Sequence, residues 1–260
     1  MKALHQGTQW LRYAWKAGTK HDVHSPFVYQ LYTEVISSKN HTDISEEIEK
    51  IRLALRSDRT SIQVRDYGSA ARGLHYSRTI SSIAKSSSKS PKIAHLLWRL
   101  TNTSNARYIL DLGTSLGLTT AYLASVSESA QVHTFEGCPE TLSVAMRNFQ
   151  KLNIRNVVPH VGDLSETLPS VLAGIDQIDV AFFDANHQYQ PTLDYFNLCL
   201  EKKHNESLFI FDDIHWSEGM TRAWQEICQH PSVTVSIDLY QVGLVFFRKE
   251  QVKQHFCLRF

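Results

Sequence analysis

The 260-residue sequence predicts an α/β fold: a doubly wound, Rossmann-like parallel sheet that ends in an antiparallel hairpin and is preceded by a helical extension. Three observations predict it. From Tyr108 to Glu136 the chain runs through a β-rich segment, a glycine turn, a small-residue helical segment and a second β-rich segment that ends in an acid. From there to Asp213 short β-rich runs alternate with helical patterns, which implies parallel strands joined by right-handed crossovers. Near the end, the runs 233–239 and 241–247 are separated only by Tyr240 and its neighbours, too few residues for a parallel crossover, so they must pair as a hairpin.

Taken in order, Ser25-Pro26 opens a helix with serine as N-cap and proline in the first turn, and Phe27, Leu31, Tyr32 and Ile36 follow at helical spacing. A second helix covers 45–56, with Ile48, Ile51, Leu53 and Leu55 as its apolar side. The stretch 65–90 is rich in glycine, serine and lysine and reads as a mobile loop or lid. Its Arg65, Arg72, Arg78, Lys85 and Lys89 either meet an anionic substrate or are simply solvated. Residues 1–90 are therefore expected to be a helical extension with a lid or substrate region, and 91–260 the binding domain. Ser90-Pro91 repeats the capping signal and starts a helix that leads into the first strand. Strands are expected at 107–112, 131–136, 156–161, 178–183 and 207–212. Helices are expected at 117–126, 139–152, 165–173, 189–203 and 218–229.

Composition narrows the class. A hydrophobic content of 42% supports a full core, and a net charge of +1 with no basic stripe gives no grip on nucleic acid. No apolar run reaches the length of a membrane span and the first residues lack the apolar core of a secretion signal, so a cytoplasmic protein with no membrane partner is expected. Cys138, Cys199, Cys228 and Cys257 are far apart, without the paired spacing of a zinc or redox site.

In doubly wound sheets ligands sit beyond the carboxyl ends of the strands. The residues expected on that rim are Asp111 with Gly113, Glu136, Gly162-Asp163, Asp184 and Asp212-Asp213. Gly113 and Gly117 would let the backbone bend and approach a ligand closely, and the helix that follows would point free N–H groups at the same place. Glu136, about 20 residues past the turn, is placed to accept hydrogen bonds from both hydroxyls of a ribose. An adenosyl ligand is the natural occupant. The turn itself, Gly-Thr-Ser-Leu-Gly, is shorter than the full dinucleotide fingerprint.

Ile109-Leu110-Asp111-Leu112-Gly113-Thr114-Ser115-Leu116-Gly117, Thr134-Phe135-Glu136, Val161-Gly162-Asp163-Leu164 and Val180-Ala181-Phe182-Phe183-Asp184-Ala185-Asn186-His187 arrive in the order of the class I S-adenosylmethionine-dependent methyltransferase motifs. The resemblance spans about 105–248. Within that class the glycine turn, the Phe-Phe-Asp strand end and Phe211-Asp212-Asp213 are similar to the small-molecule O-methyltransferases of the catechol and caffeoyl-coenzyme A type, and to uncharacterised bacterial methyltransferases grouped with them.

The resemblance implies S-adenosyl-L-methionine as cofactor, held by Asp111, Gly113, Thr114, Ser115, Gly117, Glu136, Gly137, Cys138, Asp163, Leu164 and Asp184. It also implies a small hydroxylated molecule as methyl acceptor, and leaves open a homodimer. The family's acids matching Asp184, Asp212 and Asp213 hold Mg2+ or another divalent cation. Here the chain departs from the pattern, with Asn186-His187 where a lysine is usual and Asp213 where asparagine is frequent. His187, with an intrinsic pKa of about 6.5, is thereby a candidate base beside Asp184; hydrogen bonding to the loop backbone or to Asp213 is the other role open to it. His215 and Trp216 either wall the acceptor pocket or pack against the last helix. Two further readings are a non-catalytic regulator that binds the same cofactor and a nicotinamide-dependent oxidoreductase. The short turn and the terminal hairpin oppose the second.

Overall fold

A computed structural model describes residues 2–65 and 75–260. The chain begins with α1 (Lys2–Lys16), α2 (Pro26–Gln30) running on as a π-helical turn over Leu31–Ile36, α3 (Ser45–Ser57), β1 (Ser61–Arg65), β2 (His75–Thr79), α4 (Ile80–Ser87) and α5 (Pro91–Thr103). The alternating part follows as β3 (Tyr108–Leu112), α6 (Leu118–Ala124), β4 (Gln131–Glu136), α7 (Pro139–Lys151), β5 (Val157–Val161), α8 (Leu164–Ala173), β6 (Ile178–Phe183), α9 (Tyr189–Leu200) and β7 (Lys203–Asp212). It closes with α10 (Glu218–Gln229), β8 (Val235–Asp238), β9 (Val242–Phe246) and β10 (Gln254–Cys257). The strands and helices expected from 107 onward are present with ends shifted by a few residues. By contact the chain forms two compact units, Lys39–Gly174 and the remainder.

In the unit Lys39–Gly174, β3, β4 and β5 lie side by side and parallel. Ile48 and Leu55 of α3, Ile80, Ile83 and Ala84 of α4, Tyr122 of α6 and Ala145 and Phe149 of α7 share one buried cluster. Each large apolar side chain taken from water there contributes about 1.5–3 kcal/mol. The reading of 65–90 as a loop is corrected over its second half. β2 pairs antiparallel with β1 from Ser61 opposite Thr79 to Arg65 opposite His75. Thr79 then caps α4 by accepting from the Ser82 N–H. Serines dilute this helix, yet its apolar positions fall on one face and are buried, and tertiary burial outweighs the weak local propensity. The rest of the expected lid, 66–74 with Arg72, lies outside the described residues.

The other unit has the strand order β10-β8-β9-β7-β6. β6 and β7 are parallel, and β9 runs antiparallel to both β7 and β8, which makes the expected terminal hairpin. Tyr240 makes the turn with φ +70°. The aromatic core is built on β6 and β7, where Phe183 stacks on Phe211 at 4.3 Å and Phe196 of α9 meets Phe209 edge-on. Gly243 of β9 lies under Trp224, whose ring atoms would stand 2.5 Å from an added Cβ. Gly243→Ala is therefore expected to lower unfolding free energy by about 1–3 kcal/mol, read by urea denaturation, because a buried indole cannot move aside in a filled core. Polar bonds seat α1 on this unit: Tyr13 Oη donates to the Leu258 carbonyl at 2.7 Å, and Tyr240 Oη to the Gln6 carbonyl at 3.0 Å.

Candidate functional site

Within Lys39–Gly174, the glycine turn and the end of β4 hold each other. Asp111 has no solvent exposure, and its Oδ2 accepts from Thr120 Oγ1 at 2.6 Å and Thr134 Oγ1 at 2.8 Å. Thr134 has then given away its only hydroxyl proton, so the 2.6 Å contact between Thr114 and Thr134 is donated by Thr114. These three threonines tie the turn, α6 and β4 to one carboxylate. Burial pushes Asp111 up to about 6, against the pull of the two hydroxyls.

The turn itself runs through positive φ at Gly113 (+128°), Ser115 (+48°) and Gly117 (+80°). A Cβ on Gly117 would meet the Phe149 ring at 2.7 Å and Ala145 Cβ at 2.9 Å. This close packing and the left-handed φ both require glycine. Ser115, bent into the same region, points its N–H at Glu136 Oε2 at 2.8 Å, while the Cys138 N–H donates to Oε1 at 2.9 Å. The carboxylate is thus fixed at the mouth of the turn with one amide on each oxygen and lone pairs left over. Burial lifts Glu136 to about 7; the amides of Cys138, Ser115 and Gly137 pull it down, and the charge of Asp111 adds to the rise. Since α6 has only seven residues, it is the Ser115 amide rather than a long helix terminus that orients the acid.

In the other unit a second cluster forms beyond β6 and β7. Asp184, His187 and Asp212 bring ligand atoms within 4.8 Å of one another, and His187 Nε2 stands 3.4 Å from Asp184 Oδ1. The loop achieves this by placing two successive non-glycine residues in the left-handed region, Asn186 (φ +64°) and His187 (φ +40°). Such backbone costs about 1–3 kcal/mol per residue and persists where surrounding contacts enforce it. Here Asn186 Nδ2 donates to Tyr195 Oη at 2.6 Å and the His187 N–H to the Ala185 carbonyl at 2.8 Å. Asp213 is not one of the converging groups: its backbone is at φ +52° and its N–H is bonded to the Gln241 carbonyl at 2.7 Å.

Against these two clusters stand the comparisons with known proteins. Residues 110–214 match the family described as methyltransferase domain. That stretch is similar to a methyltransferase domain. A catechol O-methyltransferase from Niastella koreensis is 27% identical over 130 residues, which is 49% of this chain and 58% of that protein, so the aligned part spans little more than half of the relative. Among solved structures, the O-methyltransferase from Bacillus cereus in complex with SAH superposes with a TM-score of 0.57 at 19% identity, over 85% of this chain and 97% of that one. The SAH-bound Podospora anserina methyltransferase PaMTH1 gives a TM-score of 0.62 at 12% identity, over 87% and 98%. The fold is the Rossmann-like class I methyltransferase fold, as the motif order implied.

The remaining predicted residues divide into two groups. Asp163 caps α8, its Oδ1 accepting from both the N–H and the hydroxyl of Ser165, and Leu164 is buried behind it. Cys138 is buried with its thiol turned to the Gln63 carbonyl of β1 at 3.4 Å, so it packs the domain. His215 is turned to Asp238, 2.8 Å from Nε2 to Oδ2, and stacks on Tyr240, while Trp216 lies under the Lys2 ammonium at 3.2 Å. Both therefore pack against neighbouring chain. Sequence reading missed Thr120, Thr134 and Ser87, whose hydroxyl lies 2.8 Å from that of Ser115. Thr134 could have been found, because it stands two residues before Glu136. Ser87 sits in a serine-rich run where no spacing marks it.

Proposed function

We propose that the protein is an S-adenosylmethionine-dependent O-methyltransferase that acts on a small hydroxylated molecule. One observation carries the reading: the Glu136 carboxylate, held by the Ser115 and Cys138 amides at the glycine bend, keeps acceptor capacity for the two hydroxyls of a ribose. Gly113, Thr114 and Gly117 shape the bend that approaches the nucleoside, and Gly137, Asp163 and Leu164 flank it. Asp111 acts through the threonines, since its carboxylate has no exposed surface. In the transfer, an acceptor oxygen attacks the donor methyl carbon in line; the carbon–sulfur bond breaks with its electron pair going to sulfur, which leaves S-adenosylhomocysteine (SAH). The acceptor proton passes to His187, and Asp184, 3.4 Å from the imidazole, balances the charge that forms.

A second reading is favoured by the convergence of two carboxylates with an imidazole. That donor set fits a divalent cation of intermediate softness, such as manganese or zinc, better than magnesium, which prefers oxygen alone. Asp184, His187 and Asp212 would hold it, and when bound it would acidify an acceptor hydroxyl. Asp213, implied by the family pattern, is not among these converging groups.

The test of the cofactor reading is titration calorimetry with SAH, with NAD as control. Binding of SAH and not of NAD is expected. Glu136→Gln should weaken SAH about 10–100-fold, since each hydrogen bond to a charged group contributes about 1.5–3 kcal/mol and the amide retains part of it. The pH dependence has a fixed sign. Glu136 sits at about 7 in the folded protein against an ordinary 4.5, so folding favours its protonated form. Its contribution to the stability of the ligand-free protein is full below 4.5 and is lost as pH rises through 7, a change on the order of 1–3 kcal/mol. SAH affinity moves the other way, rising from pH 6 to pH 8 as the carboxylate forms. Glu136→Gln should flatten both profiles; an affinity that falls over that range would overturn the role given to Glu136.

A further inference from the structure

The N-terminal helix α1 is seated on its unit by a polar side and turns an apolar side to solvent. Leu4, Leu11 and Trp15, at i, i+7 and i+11, fall within about 40° of one another around the helix axis. They are 74%, 64% and 86% exposed; Trp10, 52% exposed, lies about 120° around the helix from Leu4, nearer the docked side. Tyr13, on the opposite side, is the residue that bonds the Leu258 carbonyl and accepts from the Phe260 N–H. His5 Nε2 lies 3.1 Å from Thr221 Oγ1, and Gln6 Nε2 donates to the Trp216 carbonyl at 3.2 Å. The helix is thus docked through Gln6, His5 and Tyr13, and Leu4, Leu11 and Trp15 are left outward. A contiguous apolar stripe of this kind marks an interaction surface.

Its charge selects the occupant. α1 contains Lys2, Arg12 and Lys16 and no acidic residue; Lys20 stands four residues beyond its end, in a turn that also holds Asp22. Arg12 and Lys16 are exposed; Arg12 borders the stripe about 60° from Trp15 and Lys16 lies one step beyond it, where long basic side chains can keep their heads in a polar layer while the apolar residues leave water. Lys2, on the docked side, reaches over the Trp216 ring at 3.2 Å. A second copy of this chain placed on the same face would set these cations against their own counterparts with no acid on the helix to offset them. An anionic lipid surface offers the opposite charge to the basic residues and an apolar layer to Trp15 and the leucines.

We propose that α1 is an interfacial helix that docks the protein on an anionic bilayer surface, with Leu4, Leu11 and Trp15 entering the acyl boundary and Arg12, Lys16 and Lys20 meeting lipid headgroups. The expectation of no membrane partner rested on the lack of a spanning run. Among the described residues no helix is long and apolar enough to cross a membrane, and a helix lying in the interface needs no such length. This inference does not depend on the methyl-transfer reading.

The experiment is co-sedimentation of the full chain with vesicles of phosphatidylcholine alone or with about 30% phosphatidylglycerol, at low and high salt. Anionic vesicles should retain the protein at least ten-fold better than neutral ones, with most of the difference lost in high salt. Leu11→Glu with Trp15→Glu should lower retention at least ten-fold. Arg12→Gln with Lys16→Gln should abolish the preference for anionic lipid. Unchanged circular dichroism and SAH titration show that the variants fold. No vesicle binding, equal binding to both compositions, or a dimer in solution that Leu11→Glu dissociates would each overturn the proposal, the last by naming a second copy as the occupant.

Discussion

Glutamine in place of His187 is expected to lower kcat for methyl transfer by about 10²–10⁴, the usual contribution of a positioned acid–base group, and to leave SAH affinity within about two-fold. His187 is held in a left-handed conformation at φ +40° with its Nε2 3.4 Å from Asp184, while Glu136 is oriented by the amides of Ser115 and Cys138. Its loss should therefore act on proton removal and not on the nucleoside. If it is the base, the acid limb of the kcat profile disappears in the variant. If it is a metal ligand, EDTA inactivates the wild-type protein, manganese restores it, and the variant binds that cation more weakly by calorimetry. Full activity of His187→Gln at every pH, with and without chelator, would remove His187 from both roles.

Alanine at Gly117 should cost about 2–4 kcal/mol of stability and abolish measurable SAH binding. Two separate penalties act. The residue is at φ +80°, where a Cβ costs about 1–2 kcal/mol. That Cβ would also stand 2.7 Å from the buried Phe149 ring, an overpacking worth about 1–3 kcal/mol. Relief of the clash moves the bend that carries Ser115, and with it the amide that orients Glu136. Chemical denaturation and calorimetry read the two effects. Phe149→Leu in the same background should recover part of the clash penalty and none of the dihedral penalty, so the pair should be non-additive by about 1 kcal/mol or more. Additive effects would mean that Phe149 does not confine the turn.

Much of the binding half was legible because its signals are local. A β-rich run that ends in Asp111-Leu112-Gly113, a small-residue helix and a strand that ends in Glu136 can each be read in a window of a dozen residues, and the carboxyl rim follows from strand alternation. The terminal hairpin was legible from loop length alone. α4 and the β1–β2 pair were not, since serines and charged residues fill them and only burial of Ile80, Ile83 and Ala84 against α3 and α7 makes that stretch ordered. The amphipathic α1 was passed over because reading for an apolar span ignores which face of a helix is apolar.

The sequence by itself determined the order of elements, the glycine bend, and which acids stand at strand ends, because these depend on φ preferences and on period-two and period-3.6 patterns between near neighbours. Only the tertiary structure decided which of those acids act together. Asp184 meets His187 and Asp212 while Asp213 is not among the converging groups, and Ser115 finds both Ser87 and Glu136. Such pairings depend on register between distant strands and on strained loop dihedrals, which are fixed by the packing of the whole core and leave no periodic trace in the chain.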